Sequence, residues 1–216
     1  MIELCTDARN RGPTQRQLKY LDELASWALN RRGQLYADAA QSLPVHRLDE
    51  ATDLEAKALA DFELALERDP TRWRARHNRG VSYATLGRLQ EAFDDFNAVI
   101  RSKQNHEKAL FNRGEIHYLM ARYNEAIADY TRVISLDPTD AEAFLSRGHA
   151  RFKLKQFQEA LRDYDRAIRL DSKNAVIRTN RADAFQSLGM WENASKRYAR
   201  ASALDGNLSR AHQSAA

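Results

Sequence analysis

From Trp73 onward, apolar residues recur every three or four positions, the spacing of an amphipathic helix, and not every second position as a half-buried strand requires. Turn residues interrupt these runs near Gly87, Ala121, Lys155 and Gly189, and Asp137-Pro138 and Asp205-Gly206 end others. Each interval therefore predicts helix, turn, helix. Aligning the chain on Trp73, Glu107, Ala141 and Ala175 superposes four such hairpins at a constant step of 34 residues. A single hairpin cannot bury its own apolar face, so the repetition predicts a stack in which each unit covers the next.

The repeat carries fixed residue types. Position 8 reads Gly80, Gly114, Gly148 and Ala182, and position 20 reads Ala92, Ala126, Ala160 and Ala194. Small residues at both places let two antiparallel helices approach closely. Large residues at position 24 (Phe96, Tyr130, Tyr164, Tyr198) and position 17 (Leu89, Tyr123, Phe157, Trp191) are expected to fill the space between hairpins. A fifth, stretched unit lies upstream. Arg32-Gly33 matches the Arg-Gly pairs at 79–80, 113–114 and 147–148, and Ala58, Phe62, Ala65 and Asp69-Pro70 match a second helix and its end. It runs 47 residues from Ser26 to Trp73 instead of 34, with the surplus placed in both helices and the loop around Leu43 to His46. Thr14 and Gln17 form a candidate capping box that opens a long helix with Leu18, Leu21, Leu24, Ala25, Ala28 and Leu29 on one face.

Small residues at positions 8 and 20, an aromatic at 24 and proline at 32 together resemble the tetratricopeptide repeat family. The resemblance implies an all-α, right-handed superhelical solenoid of antiparallel helix-turn-helix repeats. The organisation read from the chain is an N-terminal segment and the start of a long capping helix (1–25), an enlarged first repeat (26–72), repeats two to five (73–106, 107–140, 141–174 and 175–208), and the start of a truncated or capping helix (209–216).

Charge changes this picture little. The 34 Lys and Arg are nearly balanced by 30 Asp and Glu, and no basic block stands out. Position 7 is Arg32, Arg79, Arg113, Arg147 and Arg181, a ladder that alone would suggest phosphate binding. Asp61, Asp95, Asp129 and Asp163 at position 23 face the first four, so ion pairs within each hairpin are expected instead; Arg197 replaces the aspartate in the last unit. The single cysteine, Cys5, lies outside the repeats and fits a reducing, cytoplasmic address. No apolar run of membrane-spanning or signal-peptide kind is present near the start.

In such a stack the first helices line the concave face, where a ligand is read. Position 6 holds Asn78, Asn112, Ser146 and Asn180. A carboxamide both donates and accepts, so the column either holds an extended peptide backbone, as the asparagine ladders of similar superhelices do, or simply meets solvent. Phe111, Tyr118, Leu119, Leu145 and Phe152 offer an apolar centre, or pack between repeats as core, with Arg74, Lys108, Glu142 and Lys153 as a polar rim. Position 9 carries Glu115, His149 and Asp183, with His77 at position 5 nearby in pattern. Neighbouring helices about 8–10 Å apart place that column too widely for one metal ion, so it reads as a hydrogen-bonded or solvated edge. No Gly-rich phosphate loop, zinc-helix motif or nucleophile elbow is found.

The chain is therefore expected to be a non-enzymatic protein-interaction scaffold, without cofactor or metal, taking a peptide through these residues, Ser146 and Glu142 excepted. Chaperone-binding members of the family carry Lys at position 5; here that position is Asn30, His77, Phe111, Leu145 and Thr179, so the carboxylate clamp is not expected. The alternatives are an RNA-binding helical repeat, disfavoured by the paired arginines, and a regulatory part of a larger protein. The C-terminal end, with Trp191, is a candidate surface for self-association.

Overall fold

The computed structural model describes residues 1–189. Residues 190 onward, including Trp191, Ala194, Arg197, Tyr198 and the 209–216 segment, lie outside the described residues, and with them the expected self-association surface. The described residues are helical, with no strand among them. They fall into two compact units, Met1–Ala109 and a second that begins at Leu110.

The first unit contains α1 (Ile2–Arg9), α2 (Gln15–Ser42), a short 3₁₀ turn (Val45–Arg47), α3 (Leu48–Arg68), α4 (Trp73–Thr85) and α5 (Leu89–Ser102). The expected capping box opens α2: Gln17 N–H donates to Thr14 Oγ1, and Thr14 N–H donates back to Gln17 Oε1 at 2.9 Å. α2 packs on α3, α3 on α4 and α4 on α5. The long α2 and α3 absorb the surplus of the enlarged hairpin, with the 3₁₀ turn at its loop. The helix α1 has no counterpart in the sequence expectations. It packs on α2 and buries Cys5 to 5% exposure, so that residue belongs to the fold and does not stand apart from it. In the second unit α6 (Glu107–Leu119), which starts just before the boundary, is followed by α7 (Tyr123–Leu136), α8 (Ala141–Lys153), α9 (Phe157–Leu170) and α10 (Ala175–Ser187). There α7 packs on α8, α8 on α9 and α9 on α10.

Each hairpin closes on the contact that the small position 8 permits. A Cβ placed on Gly33 would meet the Phe62 ring at 2.7 Å, on Gly80 the Phe96 ring at 3.0 Å, on Gly114 the Tyr130 ring at 2.8 Å, and on Gly148 the Tyr164 ring at 2.5 Å. All four rings are buried, as are Ala58, Ala92, Ala126 and Ala160 beside them. At position 17, Tyr123 meets Tyr118 edge-on (5.4 Å) and Phe157 meets Phe152 edge-on (5.2 Å), so these rings also close the turn end of their own hairpin. The turns require left-handed backbone: φ is 73° at Gly87 and 74° at Gly189, but the same conformation falls on Ala121 (57°) and Lys155 (59°).

The arginine ladder is internal bracing. Nε and Nη2 of Arg32 donate to the two oxygens of Asp61 at 2.6 and 2.6 Å. Arg79 grips Asp95 at 2.7 and 2.8 Å, Arg113 grips Asp129 at 2.8 and 2.7 Å, and Arg147 grips Asp163 at 3.0 and 2.7 Å. The aspartates are buried, and the two-pronged geometry matches a guanidinium to a carboxylate. Arg181 pairs instead with Asp165 of the preceding hairpin, at 2.5 Å.

Candidate functional site

Four sequence candidates fall in the first unit, where they are largely engaged. Arg74 lies over the Trp73 ring, 4.5 Å from its centroid. His77 packs against Phe96 (5.6 Å) and His106 (5.4 Å), and Trp73 meets His106 edge-on at 4.8 Å. Burial holds both imidazoles below their ordinary value, and Lys108, exposed nearby, pushes in the same direction. Asn78 donates from Nδ2 to Asn30 Oδ1 at 3.0 Å, which ties α4 to α2. One donor of the Asn78 amide thus braces two helices.

In the second unit the apolar centre is less open than expected. Phe111, Tyr118, Leu145 and Phe152 are half-buried, and Leu119 stands out at 60% exposure. Phe111 leans on Tyr130 (5.6 Å), while Leu145 and Phe152 pack against the cluster of Phe144, Tyr164 and Ile177. A helical pattern tells which side chains share a face but not how deeply the next helix covers them, and here the core reading takes much of these four. Glu115 is spent as well, accepting from the Tyr130 hydroxyl at 2.6 Å.

The second unit also holds a pocket of about 260 Å³ lined by Tyr118, His149, Phe152, Lys153, Tyr164, Asn180 and Asp183. It unites six sequence candidates; Asn112, Glu115, Leu119 and Leu145 do not line it. Spacings of three and four put His149, Phe152 and Lys153 on one face of α8, and Asn180 and Asp183 share a face of α10 for the same reason. Tyr118 comes from the last turn of α6 and Tyr164 from the middle of α9.

Tyr164 was not anticipated, because position 24 reads as core. The signal lay at position 9. In the preceding hairpin the equivalent Tyr130 hydroxyl is taken by Glu115; one step on, that carboxylate is replaced by His149, whose ring stands edge-on to Tyr164 at 5.8 Å. No carboxylate hydrogen-bonds the Tyr164 hydroxyl among the described residues, and burial holds its pKa well above the ordinary phenol value. Burial also lowers His149, against the opposing pull of Glu115 and a hydrogen bond to Asn180, so its ring is neutral at neutral pH. With one side of the Asn180 carboxamide engaged there, its Nδ2 is buried with no acceptor among the described residues. An unmet buried donor costs about 1–3 kcal/mol. The pocket thus offers a hydroxyl and an amide donor in want of an acceptor, between the rings of Tyr118 and Phe152, with Lys153 and Asp183 carrying opposite charges. No three His, Cys, Asp or Glu side chains converge as a metal site among the described residues.

A family model described as Tetratricopeptide repeat matches residues 107–140 and 141–174, and a second of the same description matches 56–107. No curated protein sequence matches the chain. Solved structures do. MamA from Desulfovibrio magneticus RS-1 is 18% identical with a TM-score of 0.69, covering 84% of this chain and 99% of its own. YrrB, described as a TPR protein with an unusual peptide-binding site, is 20% identical with a TM-score of 0.67, covering 83% and 89%. TTC0263, a thermophilic TPR protein of Thermus thermophilus, is 19% identical with a TM-score of 0.62, covering 88% and 97%. At these identities the likeness is one of fold. No described helix is long and apolar enough to cross a membrane.

Proposed function

We propose, from the premise that the chain belongs to the tetratricopeptide repeat family, that this protein-interaction scaffold receives a peptide segment at the pocket between α8 and α10. The observation that carries the reading is the buried Asn180 Nδ2, without an acceptor among the described residues, in the same pocket as the Tyr164 hydroxyl, which no carboxylate among them engages. A peptide carbonyl serves as acceptor to both donors. Tyr118 and Phe152 flank the segment with apolar surface, and Lys153 sits at the exposed edge. A peptide-binding site is described for the similar YrrB, which supports the class of ligand without fixing its sequence.

The module binds and does not catalyse, works in the cytoplasm, and takes Phe111, Asn112 and Leu119 as outlying contacts. Nucleic acid is a poor partner because the guanidinium forks of Arg32, Arg79, Arg113 and Arg147 are closed on carboxylates and have little field left for phosphate. The test is selection of binding peptides from a displayed library, followed by affinity measurement on Asn180→Ala and Tyr164→Phe. Each change is expected to weaken a selected peptide about tenfold, the worth of one or two hydrogen bonds, with the helical circular dichroism unchanged. Selected peptides indifferent to both changes would place the site elsewhere.

A further inference from the structure

The first unit holds a second cleft that the peptide reading does not use. The short helix α1 covers only part of the apolar strip of α2, and beside it opens a cleft of about 380 Å³. Its floor is apolar: Ile2, Cys5, Leu21, Ala25 and Leu29, with Leu64 of α3 left 42% exposed at its side. Its charged lining is of one sign. Arg9, Arg32 and Arg68 face it, and no Asp or Glu is among the lining residues.

The neighbouring carboxylates do not fully match these cations. Arg32 is closed on Asp61. Arg9 and Arg68 both rest on one oxygen of Asp22, Arg68 at the longer distance of 3.7 Å. Three guanidinium groups therefore share two carboxylates, and the surplus of one positive charge sits over an apolar floor. Both shared arginines are more than a third exposed and can turn toward a ligand. Asn10 and Thr6 add polar groups on the same edge.

We propose that this cleft binds an aliphatic monocarboxylate, its head between Arg9 and Arg68 and its chain along Leu21, Ala25, Leu29 and Leu64. The charge surplus selects a monoanion, and a planar carboxylate suits a guanidinium pair better than a point charge does. The volume lies at the small end of ligand sites, enough for a chain of about ten carbons. The apolar floor supplies affinity and the arginines supply the choice of head group.

Cys5 lines the cleft and is the only cysteine in the sequence, which makes it a reporter. Decanoate, decanol and decylamine are titrated below their aggregation limits by calorimetry, while the reaction of Cys5 with an aromatic disulfide reagent is timed. Decanoate is expected to bind at least tenfold more tightly than decanol, to outrank decylamine further, and to slow Cys5 modification severalfold. The Arg9→Gln/Arg68→Gln double variant is expected to bring decanoate down to the level of decanol while decanol binding persists, which shows the cleft intact. Leu64→Asp should remove both. Equal affinity for acid and alcohol, decanoate binding indifferent to the double variant, or saturation by decanoate without protection of Cys5 would each overturn the proposal. So would protection of Cys5 by an acidic amphipathic peptide but not by decanoate.

Discussion

At the scale of single residues, the strongest constraints are the buried carboxylates. Asp163 serves both Arg147 and Arg151, at 2.7 and 2.6 Å, whereas Asp61 serves only Arg32, whose side chain is 48% exposed. Removing a buried carboxylate strands its cations, and the loss grows with their number and burial. Asp163→Ala is therefore expected to cost about 3–5 kcal/mol in denaturant unfolding and Asp61→Ala markedly less; the reverse order would show that the locks do not carry hairpin stability. Gly148 makes a similar argument from volume. Its missing Cβ would lie 2.5 Å from Tyr164, so Gly148→Ala should destabilise by about 1–3 kcal/mol although alanine is the better helix former. Because Tyr164 also lines the pocket, the same change should weaken peptide binding. The arginine locks and the small positions that let the helices approach were legible in the sequence because each recurs at one step with one identity, whereas the meeting of each glycine with the position-24 ring of its own hairpin was not. The Tyr164 hydroxyl, which no carboxylate among the described residues engages, was harder to read: it depends on what stands at position 9, and Glu115 becoming His149 is a single departure inside a regular column.

At the scale of elements, the hairpin turns and helix starts decide how firmly each repeat is held. Ala121 and Lys155 adopt a left-handed backbone that glycine adopts freely at Gly87 and Gly189. Lys155→Gly is expected to stabilise by up to about 1 kcal/mol, less than the full left-handed penalty because glycine also loses more freedom on folding; a lower melting temperature would contradict this. The start of α6 is sensitive to pH. Ala109 N–H donates to His106 Nδ1 at 3.1 Å, a cap that only the unprotonated nitrogen can accept. Burial depresses His77, His106, His117 and His149 alike. Lys108, Arg74 and Glu107 act on His106; Asp129, Arg113, Glu125 and Arg122 on His117. A histidine depressed in the folded state binds fewer protons than when unfolded, so its contribution is complete above the ordinary value of 6.5 and is lost as pH falls through the folded value. The melting temperature should accordingly fall between pH 7 and 5. His106→Asn, which keeps a capping acceptor without a titrating ring, should reduce that slope; an unchanged slope would remove His106 from the explanation. Helix α2, with its capping box, announced itself in sequence, whereas α1 did not. Eight residues with apolar contacts at little more than Ile2 and Cys5 give too short a pattern to separate from a charged leader, and its burial comes from α2.

At the scale of the whole molecule, two compact units built on one repeat offer different surfaces. The first holds the arginine-edged cleft under α1, and the second holds the pocket with the buried Asn180 donor. The all-helical repeat class followed from the 34-residue step, but the open place on its surface did not. Phe111 and Phe152 belong to the same periodic face, and only the packing of Tyr130 and Phe157 shows how far each is covered. The most direct test of peptide reception is to titrate a library-selected peptide into the isotope-labelled chain and map the amide and side-chain shifts by NMR. The largest changes are expected at Tyr118, His149, Phe152, Lys153, Asn180 and Asp183, with the Asn180 Nδ2 protons moving as they gain an acceptor. Saturating peptide that leaves the Asn180 carboxamide and its neighbours unmoved, and shifts another surface instead, would contradict the account.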